Sequence, residues 1–191
     1  MSAATTPVTL AVVLSGGRGS RLGGRDKARV VIDGHTLLDR VLASLPPLAS
    51  VIVAGDVVDG AGPTHRGLIA FVREQPPHGG PVAGLYAGLD ALPASPDDAL
   101  VAVVAVDMPW LSSDTFVRLA AAAAGHDGAV LVDADGRRQL CALVRRGVLV
   151  RLRPERTDGA AVHRIWKQAD LAEVATDGRE ATDIDTPADL G

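Results

Sequence analysis

The sequence predicts an α/β fold, in which helices cover both faces of a mostly parallel sheet. Two observations lead to this prediction: short apolar runs rich in β-branched residues recur along the chain, and amphipathic stretches of helical length lie between them. Strands that alternate with helices form crossover units, whose strands lie parallel. The 191 residues, of which 47% are apolar, have the size and composition of one compact domain. We therefore expect a single domain over residues 1–191, with residues 1–7 flexible.

The elements follow from composition and spacing. The run VTLAVVL at residues 8–14 predicts a strand at the centre of a parallel sheet, because no charge interrupts it. The same composition predicts further strands at residues 50–54, 68–72, 99–106 and 129–132. Apolar residues at helical spacing predict helices at residues 36–45, 81–92 and 112–124. The first helix begins after Thr36, a typical N-cap, and the third after Ser112 or Ser113.

Composition excludes several classes of protein. The chain has 19 basic and 23 acidic residues and is well supplied with apolar ones, unlike a disordered chain. The acidic balance and only five aromatic residues argue against a nucleic-acid partner. The single cysteine, Cys141, excludes an internal disulfide and a thiolate zinc site, and it suits a reducing compartment. Since no long apolar run or signal peptide is recognisable, we expect a cytoplasmic protein without a membrane partner.

A glycine-rich loop follows the first strand directly. Five of the nine residues from Gly16 to Gly24 are glycine, which lets the backbone approach a ligand and turn its amides toward an anion. The twelve residues from Arg18 to Arg29 carry a net charge of +4, although the whole chain carries −4. A polyphosphate is the natural partner of such a loop. The alternative is a solvated loop with incidental arginines.

Two familiar phosphate-binding loops do not fit this stretch. The dinucleotide fingerprint GxGxxG requires a third glycine where Leu22 stands, and this mismatch also argues against an NAD-dependent enzyme. The P-loop requires Lys followed by Ser or Thr after Gly24, where the sequence has Arg25 and Asp26.

A third pattern fits. The string LSGGRGSRLGGRDK at residues 14–27 resembles the signature loop of the MobA-like nucleotidyltransferases, the molybdenum cofactor guanylyltransferase family, with one additional residue before Asp26. The resemblance implies the Rossmann-like architecture of nucleotide-diphospho-sugar transferases, which is GT-A-like. It also implies that Lys27 contacts the nucleotide phosphates, and that Lys27 and Arg21 are catalytic because they neutralise phosphate charge. The loop residues implied to hold the nucleotide are Leu14, Ser15, Gly16 and Gly17.

Two carboxylates are candidates for a divalent metal. Magnesium bridging phosphate oxygens offsets the repulsion between a triphosphate and an anionic nucleophile, and it takes one or two protein carboxylates. Asp107 follows the predicted strand at 99–106, and the resemblance makes it the catalytic, metal-binding and nucleotide-binding aspartate; the alternative is a helix cap or a turn residue. In the string DIDTP at residues 183–187 the resemblance points to Asp185 as a second metal ligand, with Asp183 the weaker candidate. A short helix capped by Thr186, with no metal role, is the alternative.

The acceptor side is indicated by two weaker blocks. Residues 73–85 resemble a family block that ends in GPLAGL, so Gly80 and Pro81 are candidates for the acceptor and Gly84 for the nucleotide. Glu74 is a candidate nucleotide ligand at a position where the family usually has aspartate. His78 is either a base or a solvated loop residue. In the second block Gln139 either holds the acceptor or belongs to a turn, and Cys141 is a small core residue.

The resemblance spans residues 10–190 and implies a magnesium-dependent transfer of GMP from GTP to molybdopterin, with release of pyrophosphate. Two related reactions stay open: cytidylyl transfer from CTP to the same pterin, and transfer to a sugar phosphate. A non-catalytic carrier of nucleotide or cofactor is a hypothesis of a different class. The implied partners are the nucleotide, the pterin and, beyond them, molybdoenzymes or other proteins of cofactor biosynthesis.

Overall fold

The computed structural model describes residues 9–15, 26–47, 49–62, 65–75 and 77–184. Its strands are β1 (Leu10–Leu14), β2 (Val31–Ile32), β3 (His35–Thr36), β4 (Ser50–Ala54), β5 (Ile69–Val72), β6 (Leu100–Ala105), β7 (Gly128–Val132), β8 (Arg138–Arg145) and β9 (Leu171–Ala175). Its helices are α1 (Leu37–Ser44), α2 (Pro81–Ala91), α3 (Ser113–Ala122), α4 (Arg146–Arg151) and α5 (Val162–Trp166), and a single 3₁₀ turn is formed by Lys27–Arg29.

Seven strands form one sheet in the order β5-β4-β1-β6-β8-β7-β9, and β2 pairs with β3 in a separate hairpin. β5, β4, β1 and β6 are parallel, β8 runs antiparallel to both its neighbours, and β9 is parallel to β7. Leu14, the last residue of β1, is paired with Ala54 of β4 and Ala105 of β6, so these strands end at one level. The predicted α/β class with a mostly parallel sheet is confirmed.

Helices cover both faces of this sheet. Ala11 and Val13 of β1 pack in a cluster with residues of α1 and α3, whereas Val12 and Leu14 pack in a second cluster with α2, α4 and α5. All five residues of β1 are buried because the strand is central and covered on both sides. This burial on two faces explains why the run is apolar at every position rather than at alternate ones.

The predicted elements are found with shifts of one or two residues at their ends, and both predicted caps are present. Thr36 accepts a hydrogen bond from the Asp39 amide at 3.0 Å, and Ser112 is the N-cap of α3. α4, α5 and β9 were not predicted, because each has only five or six residues and charged residues interrupt its pattern. The predictions of a flexible stretch at 1–7 and a short helix at Thr186 lie outside the described residues, and the single domain over 1–191 stays a prediction. No helix in the described part of the chain is long and apolar enough to cross a membrane.

α2 lies against β1 through glycines that permit close approach. A Cβ atom at Gly88 would lie 2.5 Å from Cγ1 of Val12, which real structures do not tolerate. A Cβ atom at Gly84, one turn earlier, would lie 3.4 Å from the Cβ of Ala54, at ordinary contact distance. The two glycines therefore differ in what an added methyl group would do, although they share one helix face.

We expect Gly88→Ala to lower the free energy of unfolding by about 1–3 kcal/mol, because the methyl group overpacks the contact with β1. Gly84→Ala is the matched control and should leave stability unchanged or raise it by up to about 1 kcal/mol, because alanine favours helix. Urea denaturation of the two variants and the wild type measures the difference. Equal stabilities for the two variants would contradict the close packing of Gly88 on Val12.

Candidate functional site

The carboxyl ends of β1, β4 and β6 form the edge of the sheet at which a ligand is expected. From β1 the chain builds β4 and β5 on one side and then returns to build β6 on the other, so the strand order reverses between β1 and β6. Ligands of open α/β sheets bind outside the carboxyl ends at such a switch point. The amide of Val106 donates to the carbonyl of Leu14 at 3.0 Å and keeps the two strand ends together. We call this place the carboxyl edge.

Lys27 and Asp107 meet at the carboxyl edge. The Lys27 ammonium lies 2.8 Å from Oδ2 of Asp107, and the two side chains are 17% and 23% exposed. Asp107 stands two residues beyond β6. Lys27 opens a 3₁₀ turn that Asp26 caps by accepting a hydrogen bond from the Ala28 amide at 3.0 Å, and Ala28 is fully buried. The backbone of Lys27 is therefore anchored in the core cluster that contains α1.

The pairing excludes one interpretation of Asp107, while the turn interpretation stays open because Asp107 lies in a turn after β6, and its metal and nucleotide roles stay predictions. A helix cap is ruled out, because Ser112 caps α3 and the Asp107 carboxylate contacts Lys27 instead. The prediction that Lys27 contacts a phosphate stays a prediction: in this structure its ammonium lies on a carboxylate. An ammonium suited to bind phosphate and a carboxylate suited to bind a metal nevertheless lie together at the carboxyl edge, and both are partly exposed to solvent.

Ser15 follows β1 and is packed tightly at the same edge. Its amide donates to the carbonyl of Ala54 at 3.0 Å, and its side chain lies against Gly55, where a Cβ atom would come within 2.8 Å of the serine Cβ. The serine Oγ is buried without a hydrogen-bond partner among the described residues. The carbonyl of Leu14 already accepts from Val106, so a main-chain contact of Leu14 with a nucleotide would use its second lone pair. Gly16, Gly17, Arg21 and Asp185 lie outside the described residues, and their roles stay predictions.

The loop between β5 and α2 is organised by Glu74. This glutamate is buried, and its Oε1 accepts a hydrogen bond from the His78 amide at 3.0 Å. His78 and Gly80 have φ values of 63° and 90°, so the chain reverses sharply before Pro81 opens α2. Glu74 therefore shapes the loop that carries Gly80 and Pro81, and a nucleotide contact of Glu74 stays a prediction. The exposed position of His78 favours the solvated-loop interpretation.

Gln139 closes a turn at the carboxyl edge. Its side-chain amide donates to Oδ2 of Asp133 and to the carbonyl of Arg137, both at 2.9 Å, and so it braces the connection between β7 and β8. Of the two interpretations of Gln139, the structure favours the turn, whereas its contact with an acceptor stays a prediction. Cys141 is fully buried in β8, and this burial raises the pKa of its thiol far above the ordinary value. The prediction that Cys141 is a core residue is confirmed.

The chain returns to the carboxyl edge after β9. We call residues 176–184 the C-terminal segment. At its start the amide of Thr176 donates to the carbonyl of Val132 at 2.9 Å, and at its end the amide of Ile184 donates to the carbonyl of Asp107 at 3.0 Å. The Ile184 side chain is fully buried in the cluster of α1 and α3, whereas Asp183 is exposed. The segment thus brings a second acidic residue next to the backbone of Asp107.

A buried polar cluster that the sequence analysis missed holds this segment in place. Glu180 is 5% exposed, and its carboxylate accepts from Nη2 of Arg118 at 2.6 Å on both oxygens, from Oγ1 of Thr115 and from the Asp177 amide at 2.7 Å. Burial opposes the charge, but the hydrogen bonds from Arg118, Thr115 and Asp177 outweigh it, and the pKa of Glu180 is lower than usual. Nothing in the local sequence marks these residues, because Glu180 lies 62 positions from Arg118.

The contribution of this cluster to the stability of the fold should be lost in acid. The pKa of Glu180 is lower in the folded protein than its ordinary value of 4.5, so its ionisation stabilises the fold fully above about pH 4.5, and this contribution is lost as the pH falls through the folded-state pKa. We expect Glu180→Gln to lower the free energy of unfolding by about 1–3 kcal/mol at pH 7, and the difference from wild type to shrink as the pH falls below 4.5. Urea denaturation at stepwise lower pH measures this. A difference that stays constant down to the lowest pH would contradict the assignment.

The fold and the carboxyl edge define an α/β protein with paired charges at the strand ends where a nucleotide is expected. Residues 11–173 match the MobA-like NTP transferase domain, and the chain belongs to this family. The predicted family membership is confirmed.

Individual proteins are also similar to this chain, in sequence or in fold. A protein of Bradyrhizobium sp. (strain ORS 278) named molybdenum cofactor guanylyltransferase is 35% identical over 137 residues, which are 71% of this chain and 65% of that protein. Among solved structures, the molybdopterin-guanine dinucleotide biosynthesis protein A of Archaeoglobus fulgidus has a TM-score of 0.63 and 21% identity, covering 94% of each chain. The 2-C-methyl-D-erythritol 4-phosphate cytidylyltransferase of Thermus thermophilus has a TM-score of 0.67 and 21% identity, covering 95% of each chain.

The solved structures and the curated relatives support different conclusions. The two solved structures share the fold with this chain, since their sequence identity is low. The predicted nucleotidyltransferase-type architecture is confirmed by them. The curated relatives are longer than the matched region: the chain spans 57–65% of the length of the first three.

Proposed function

We propose that this protein is an enzyme that transfers GMP from GTP to the phosphate of molybdopterin and releases pyrophosphate in the presence of Mg²⁺. The observation that carries the proposal is the pair of Lys27 and Asp107, 2.8 Å apart at the switch point of the sheet. Nucleotidyl transfer needs positive charge on the phosphates and a carboxylate for the cation at one place. The choice of GTP and of the pterin is supported by the names of the relatives.

The residues at the carboxyl edge fit a magnesium ion. The described residues contain no group of three or more His, Cys, Asp and Glu side chains that would cage a metal. Magnesium does not require such a cage, since it usually binds through one or two carboxylates together with phosphate oxygens and waters. Asp107 provides one partly exposed carboxylate, and the segment that carries Asp183 and leads to Asp185 is hydrogen-bonded to its backbone. When bound, Mg²⁺ neutralises phosphate charge and orients the leaving pyrophosphate.

The roles of the protein's own residues follow from their positions. Lys27 has an anchored backbone and a flexible side chain, so its ammonium can turn from Asp107 to a phosphate without a change in the fold. The Asp107 carboxylate would then be available to hold the cation. The acceptor phosphate is already ionised at neutral pH, so the reaction needs no general base. Binding both substrates on one rigid edge supplies the in-line orientation.

We expect pyrophosphate release when the purified protein is given Mg²⁺, molybdopterin and GTP, and little with ATP or UTP. The measurement compares the four nucleoside triphosphates with the pterin and, as an alternative acceptor, with sugar phosphates. Turnover with CTP alone would assign the cytidylyl reaction instead. Nucleotide binding without pyrophosphate release under any condition would contradict the enzyme and favour the carrier.

We expect Asp107→Asn to lower the rate of pyrophosphate release by roughly a hundredfold or more, because the variant lacks the charge that holds the cation at the reacting phosphates. Metal-free GTP should bind the variant at least as tightly as the wild type, because Lys27 is released from its carboxylate partner. Asp170→Asn is the matched control: Asp170 pairs with His126 on the surface and should leave both quantities unchanged. A fully active Asp107→Asn variant would remove the metal role assigned to Asp107.

A further inference from the structure

The carboxylates of the proposed metal site come from two parts of the chain that are far apart in sequence. Asp107 is fixed by β6, in the middle of the sheet, whereas Asp183 belongs to the C-terminal segment. Within the described residues, one backbone hydrogen bond joins the two parts directly, from the Ile184 amide to the Asp107 carbonyl at 3.0 Å. The Ile184 side chain is also buried in the cluster of α1 and α3, but both contacts lie at the far end of the segment, so the course of the chain before Asp183 is set by other contacts.

Those contacts are made with the stretch of chain that follows Asp107. Glu180 binds Thr115 and Arg118, on the first and second turns of α3. The guanidinium of Arg179 stacks on the ring of Trp110 at 3.7 Å from its centroid, a cation–π contact. The C-terminal segment thus contacts residues 107–118 at three places. These are the Asp107 backbone, the Trp110 ring and the first two turns of α3.

A gain in stability alone does not explain this cluster. Burying a carboxylate and pairing it with an arginine often stabilises a fold no more than apolar residues of similar volume would. What such a pair provides is geometry: two hydrogen bonds of 2.6 Å from one guanidinium nitrogen, with Thr115 and the Asp177 amide, leave Glu180 a single position. Because the segment has turns between Asp177 and Thr182, fixing Glu180 also fixes where the chain leaves toward Asp183.

We propose that Glu180, held by Arg118 and Thr115, is a positioning residue that docks the C-terminal segment on the end of β6 and so completes the divalent-cation site begun by Asp107. Glu180 touches neither nucleotide nor metal in this role; it acts through the segment that follows it. The inference rests on the proposed function, in which Asp107 carries the cation. It adds a requirement that the family resemblance does not contain: the affinity for the cation depends on the buried carboxylate of Glu180 and its partners on α3.

The test measures metal binding and the docking of the segment separately. Mn²⁺, which paramagnetic resonance detects directly, is titrated into the wild type, Glu180→Gln, Arg118→Lys and the control Glu173→Gln. Glu173 is a 51% exposed glutamate of β9 that pairs with Arg138 rather than with the C-terminal segment. Hydrogen exchange of the peptide that contains Ile184 reports docking, and thermal unfolding together with metal-free GTP binding reports whether the rest of the protein is intact.

We expect Glu180→Gln to weaken Mn²⁺ binding roughly tenfold and to speed exchange at Ile184, while metal-free GTP binds as in the wild type. Arg118→Lys keeps the charge but loses the planar guanidinium and its second bond, from Nη1 to the Ala175 carbonyl, so it should show both effects to a smaller degree. Glu173→Gln should match the wild type. If Glu180→Gln does not fold, the comparison of Arg118→Lys with the wild type decides alone.

Wild-type Mn²⁺ affinity in Glu180→Gln, or in Arg118→Lys where it stands alone, would overturn the inference even if exchange at Ile184 rises. Failure of the proposed function looks different. A wild type that binds no Mn²⁺ would overturn the metal role of Asp107 together with this inference. A wild type that binds Mn²⁺ and responds to Glu180→Gln as expected, yet releases no pyrophosphate with any triphosphate, would overturn the proposed reaction while supporting the positioning role.

Discussion

The parallel pairing of β1 with both β4 and β6 is the constraint on which the rest of the molecule depends. Leu14 is paired with Ala54 on one side and Ala105 on the other, so Ser15 and the residues after β6 begin at the same level. Because β1 is buried on both faces, a register shift of one residue would turn every side chain of the strand to the opposite face. The position of Asp107 relative to Ser15 is therefore as fixed as the core itself.

The two ion pairs near this edge differ in what they contribute. The Lys27 and Asp107 side chains are 17% and 23% exposed, so solvent still reaches both charges. The place of this pair at the switch point suits the proposed function, in which each partner exchanges the other for a ligand of the same charge. In the second pair the Glu180 side chain is 6% exposed and that of Arg118 35%, so removing Arg118 would leave the buried carboxylate without compensation. This pair suits a fixed structural position and the first pair suits exchange.

Local sequence predicted the elements that local physics determines. Central strands such as β1 are continuous apolar runs because both faces are covered, and Thr36 caps α1 because its side chain accepts a hydrogen bond from the amide three residues later. At the start of α3 the Ser112 amide donates to the Thr115 hydroxyl at 3.0 Å. The glycine-rich loop and Asp107 were found through a motif, and the structure brings Lys27 to Asp107. The functions expected of Glu74 and Gln139 could not be weighed from sequence, since their partners are set by loop geometry. No local sequence pattern indicated the role of Glu180, because its partners Thr115 and Arg118 lie on a helix more than sixty residues earlier.

The crossing of the C-terminal segment follows from the direction of β9. Since β9 is parallel to β7, and β7 is parallel to β6 across the antiparallel β8, β9 ends at the carboxyl edge, three strand positions from β6. Neighbouring strands lie about 4.8 Å apart, so the segment must cover roughly 14 Å, whereas nine extended residues would span about 30 Å. The excess length is taken up in hydrogen-bonded turns between Asp177 and Thr182. Because the segment is longer than the distance it crosses, chain connectivity alone would not place it at Asp107 in one conformation. The buried carboxylate of Glu180 lies within the turns that take up the excess length. The sheet thus determines where the acidic segment must pass, and the cluster on α3 determines where it stops.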